Sequence, residues 1–205
     1  MNEGLSDIQW NPPAPRAGLL GAWDKFVGPG ATRGEERLQV VGTLVLTTAL
    51  MALLILRHNA LAWSTAQWIV SALLAFDLLG GVITNATSAA KRWYHRSGQQ
   101  GLRGHLPFVA VHGLHLVLVA ALFRGMDWIY VVVAYSYLMV AAGVIVRTQL
   151  HLRRPMAMAL WCGGLLIGLY ILVPASGLEW FLPLFYLKLL VSHLVKEAPF
   201  AAKNL

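Results

Sequence analysis

Charge is what this chain has least of. Only 12% of its 205 residues are Asp, Glu, Lys or Arg, against about 25% in soluble domains. With 58% hydrophobic residues and a mean hydropathy of +0.62, it reads as a membrane protein. Cysteine is nearly absent. The lone Cys162 excludes an intrachain disulfide and, lying in an apolar run, reads as a small buried hydrophobe. No polar stretch is long enough for a soluble catalytic domain. The first 37 residues also lack the apolar core of a cleavable signal peptide, so insertion is expected to rely on the first span.

The formal charge of +7 could suggest a nucleic-acid partner. The Lys and Arg residues, however, gather between apolar runs, as in the cytoplasmic loops of a membrane protein, so no nucleic acid is expected.

Six apolar runs, near 38–56, 66–90, 106–123, 128–146, 156–173 and 179–196, approach the roughly 20 residues that a crossing needs. The expected architecture is therefore all-α: a polytopic membrane helical bundle of six transmembrane helices. Residues 1–37 form a cytoplasmic tail, 38–196 the transmembrane domain and 197–205 a second cytoplasmic tail. Lys91, Arg92, Arg96 and Arg103 follow the second run, and Arg147, Arg153 and Arg154 follow the fourth, neither group with an acid. The other loops carry Arg57, Arg124 with Asp127, and Glu179. The positive-inside rule then puts both termini in the cytoplasm, with a bacterial cytoplasmic membrane as the expected setting.

Near 17–27, Leu19, Leu20, Trp23, Phe26 and Val27 recur at helical spacing before the breaker Gly28-Pro29-Gly30. This predicts a short amphipathic helix on the membrane surface, preceding the bundle. Gly164 and Gly168 form a GxxxG pair, which suits close packing inside the bundle better than dimerisation.

The chemistry-bearing residues sit where lipid makes them costly. In the second run Asp77, Gly81, Thr84, Asn85 and Ser88 fall on one helical face, which must meet other helices or a wet cavity. Packing accounts for the small residues but not for Asp77. In the third run His112 and His115 share a face, with His105 nearby and Pro107 in a first turn, where proline is tolerated. In the sixth, Lys188 is too deep to snorkel and Asp77 is its natural partner. His193, five residues on, points about 140° away if the helix is α. On a rise of about 1.5 Å per residue, Asn85, His112 and His193 lie roughly 6–10 Å deep and His115, Lys188 and Asp77 deeper. They sit below a rim of His95, His105 and the basic loop.

These residues predict one polar site in the cytoplasmic half. In the leading reading it is a metal-dependent intramembrane enzyme, a hydrolase or oxidoreductase, acting on a lipophilic small molecule. His112, His115 and His193 would hold a divalent metal, zinc or iron. Asp77 and Lys188 would be the catalytic pair, Asp77 orienting His115. Asn85, His95 and His105 would border the cofactor. The dense HxxxH and HxxHH boxes of membrane di-iron hydroxylases are absent. The alternatives are a small proton-coupled transporter, in which the same groups carry protons, and a b-type haem protein with His112 and His193 as axial ligands. A purely structural bundle leaves Asp77 and Lys188 unexplained. The expected partners are the lipid bilayer, the lipophilic substrate and further copies of the chain in a homo-oligomer.

Overall fold

The computed structural model describes residues 8–57 and 61–200. Every regular element among them is helical. Helix α1 is Gly18–Val27, α2 Arg33–Leu56, α3 Thr65–Ala86, α4 Ser88–Tyr94, α5 Gly101–Phe123, α6 Trp128–Arg147, α7 Leu150–Ile171 and α8 Phe181–His193. Five of these, α2, α3, α5, α6 and α7, are long and apolar enough to cross a membrane.

The sixth apolar run forms only the shorter α8. Its residues explain how a short helix is accommodated. Phe181, Leu182, Phe185, Tyr186, Leu189 and Leu190 are all buried, and α8 packs against α3, α6 and α7. The helix is wrapped by its neighbours. Conversely, Leu53, Leu73, Leu114, Val140 and Leu166 point outward and are exposed. An outer surface so apolar matches lipid.

Caps set the helix starts. Thr32 Oγ1 accepts from the Glu35 amide while Glu35 reaches back to the Thr32 amide, a capping box for α2. Ser64 and Gln67 do the same for α3. Asp127 accepts from the Tyr130 amide at the start of α6. Each satisfies backbone donors that a helix start leaves open.

Several boundaries differ from the sequence reading, each for a local reason. The second run does not continue to 90. Thr87 turns extended, and its hydroxyl donates to the Thr84 carbonyl and accepts from the Ala90 amide, so α3 ends and α4 begins afresh. Ser88 therefore leaves the stripe of α3. The third run starts earlier, at Gly101, so Pro107 lies inside α5 and not in its first turn. A break follows at His112, where the helical winding tightens before resuming at Gly113. Cys162 is exposed on the outer face of α7, not buried.

The surface helix forms as α1, with Leu19, Leu20 and Phe26 exposed. Arg16 pins it by a bidentate pair with Asp24. Gly164 packs against Tyr186 and Tyr137, and Gly168 against Leu182, so the GxxxG pair serves contact between α7 and α8. The described ends of the chain meet, with the Gln9 amide donating to the Pro199 carbonyl at 3.0 Å.

Candidate functional site

Asp77 projects from the middle of α3. Its Oδ2 accepts from Lys188 Nζ on α8 at 2.6 Å and from His115 Nε2 on α5 at 2.9 Å. Thus three helices converge on one carboxylate oxygen. Lys188 is almost fully buried, and it reaches Asp77 along a track cleared by glycine. A Cβ on Gly81 would fall 2.6 Å from Lys188 Cδ.

His112 and His115 stack nearly parallel, ring centroids 5.0 Å apart and planes at 12°. The break in α5 makes this possible. The His112 Nδ1–H donates to the Phe108 carbonyl at 2.7 Å, leaving Nε2 as a lone-pair nitrogen. His115 gives its Nε2–H to Asp77, and its Nδ1 is buried with no partner. His112 therefore presents an unprotonated nitrogen, the form in which histidine binds metal. One ligand atom from each of Asp77, His112 and His115 lies within 4.8 Å of the others, so this group can hold a metal ion.

His193 is not part of that group. It belongs to a second cluster with His95 and His105. His105 Nδ1 and His193 Nε2 lie 3.4 Å apart, and His95 Nε2 donates to the His193 carbonyl at 3.0 Å. His95 and His105 are thus buried neighbours of His193 and not an exposed rim. Burial foremost, then the charges of His105 and Lys91, push the His95 pKa down to about 3, so it stays neutral. Phe108 packs on both His193, at 4.2 Å, and His112, at 4.6 Å, so the pair needed for axial haem ligation falls in two different clusters.

Leu187–His193 is wound as a π-helix, and Lys188 and His193 address different spots, as the sequence reading expects. With i→i+5 hydrogen bonds, residues five apart return toward the same side, whereas α winding would splay them. Lys188 and His193 both point into the bundle, Lys188 to Asp77 and His193 to the second cluster.

A cavity of about 590 Å³ leads to the Asp77 cluster. Asp77, His112 and Lys188 form its polar part, with Asn85 and Thr84 nearby. Leu44, Phe76 and Phe108 supply apolar wall, and Trp23 and Phe26 of the surface helix also line it. The polar stripe of α3 faces this space. Three contributors escaped the sequence reading. The sequence reading gives Trp23 and Phe26 only the apolar face of a membrane-surface helix. Gln39 is buried in the first span, its Nε2 donating to the Val27 carbonyl and to Thr87 Oγ1. An amide inside a long apolar run is the same kind of signal that singled out Asp77.

No protein-family model matches this chain, and neither does any curated protein or any solved structure.

Proposed function

We propose that this protein is a metal-dependent intramembrane enzyme acting on a lipophilic substrate. The observation that carries the reading is the Asp77, His112 and His115 group set beside an apolar-walled cavity. Three protein ligands leave a coordination position free for water or substrate, the arrangement of catalytic and not structural sites. Zinc would supply hydrolytic chemistry there and iron oxidative chemistry. His112 would offer its bare Nε2, and Asp77 and His115 would each offer one atom once an ion replaces the hydrogen bond between them. Lys188 compensates the carboxylate charge and stands at the cavity as a donor for negative charge that develops on a bound substrate. A volume of about 590 Å³ suits a small lipophilic molecule.

The setting proposed for this enzyme is a bacterial cytoplasmic membrane with both termini in the cytoplasm. The charge bias of the loops supports it, as does the bond between Gln9 and Pro199 near the two described ends.

Metal analysis of the detergent-purified protein tests the reading. One zinc or iron per chain is expected, lost in His112→Ala and His115→Ala and kept in His95→Ala. Equal metal content in the wild type and the His112→Ala/His115→Ala double variant would overturn it.

One observation favours a second reading. Lys188 and His115 share a single Asp77 oxygen, which is a short path for a proton between α8 and α5. In a proton-coupled transporter that path would operate without metal. Proton uptake by metal-free protein in vesicles, abolished in Asp77→Asn, is the result that would favour it.

A further inference from the structure

A second pocket, of about 450 Å³, opens where α3 stops at Ala86 and α7 begins. It shares no lining residue with the Asp77 cavity. Its position at the ends of two spanning helices puts it level with lipid headgroups. Ser88, Lys91, Arg154, Lys196 and Glu197 line it, beside an apolar side that includes Val195 and Phe200.

The charges are unevenly matched, because among the described residues three cations face one carboxylate. Lys91 is buried, and its Nζ donates to the carbonyls of Ser192 at 2.7 Å and Val195 at 2.6 Å. That leaves one N–H of three, facing Glu197 Oε2 at 3.7 Å. Arg154 Nε stands 3.9 Å from the other Glu197 oxygen. Both separations exceed hydrogen-bond length, so the half-exposed carboxylate is held loosely between two cations. Lys196 Nζ lies over the Trp10 ring at 4.3 Å.

We infer that this pocket binds a phosphate-bearing anion. Arg154 and Lys196 are its charged ligands, Ser88 offers a hydroxyl, and Lys91 fixes the floor by tying down the end of α8. A guanidinium fork fits the paired oxygens of a phosphate, and an ammonium adds point charge. Glu197 sits between Lys91 and Arg154 and is displaced when the anion enters. A phospholipid headgroup and free phosphate share this chemistry. Basic pockets between helices at headgroup level are typical lipid-headgroup sites.

Calorimetric titration of the detergent-solubilised full chain with short-chain phosphatidic acid, short-chain phosphatidylcholine and inorganic phosphate tests the inference. Saturable binding of phosphatidic acid but not of inorganic phosphate assigns a headgroup. Binding of inorganic phosphate assigns the free anion. Arg154→Gln and Lys196→Gln should each weaken binding roughly tenfold, the effect of one charged hydrogen bond. Glu197→Gln should tighten it by removing the internal competitor, which a misfolded variant would not do. Failure of both phosphatidic acid and inorganic phosphate to bind overturns the site. So does unchanged affinity in the Arg154 and Lys196 variants, or binding weakened by Glu197→Gln.

Discussion

Lys188 runs its aliphatic stem across the bare Cα of Gly81 before its ammonium reaches Asp77. The ion pair therefore depends on a residue that carries no charge and makes no hydrogen bond of its own through a side chain. Gly81→Ala would drive a methyl into the stem. We expect a loss of about 1–3 kcal/mol, the usual cost of overpacking. Thermal unfolding in detergent measures it, and an unchanged melting temperature would show that the lysine can take another route.

Asp77 and Lys188 should be coupled. Each is a charge in an apolar surrounding, and a partner left alone is worse off than neither. Asp77→Asn and Lys188→Met should each destabilise, and the double variant should lose less than their sum by about 0.5–3 kcal/mol. Because Asp77 also faces the cavity, the lower part of that range is expected. Strictly additive losses in a double-mutant cycle would remove the pairing from the energetics of the fold.

Metal occupancy should fall in acid. Histidine ligands bind metal only as neutral imidazoles, so protons compete with the ion as the pH is lowered. Occupancy measured across a pH series should decline in that direction. Loss on raising the pH instead would point to ligands other than these histidines.

His95 should contribute to acid sensitivity of the fold itself. Its pKa is depressed to about 3 in the folded chain by burial, while the unfolded chain titrates near 6.5. Between those values the unfolded state binds the extra proton, so stability falls as the pH is lowered through this window. The slope is at most about 1.4 kcal/mol per pH unit for one such group. His95→Gln should flatten the acid limb of a stability profile. An identical limb in the variant would assign it to other groups.

The helical architecture and most of the polar cluster are legible in the sequence because hydrocarbon penalises them strongly. A run of apolar residues has few alternatives to a membrane helix, and Asp77 opposite Lys188 has few alternatives to pairing. What escapes is set by backbone detail that composition does not encode. The break at His112 turns its ring parallel to His115. His193 meets His95 and His105, which come from other segments, so periodicity within one helix does not reveal their cluster. The sequence counts α8 as a sixth span, while only five helices are long and apolar enough to cross, because burial by neighbours and burial by lipid select the same apolar residues. Glu197 and the basic pocket also escaped, since they depend on which helix ends meet.

The π-helical segment Leu187–His193 has a mechanical consequence. Lys188 and His193 ride on one short helix, yet they engage two separate clusters through partners on α3, on α5 and just after α4. The helix acts as a shaft bearing two cogs. Any turn about its axis is felt at both levels at once, so the carboxylate and the histidine cluster above it share one rotational degree of freedom.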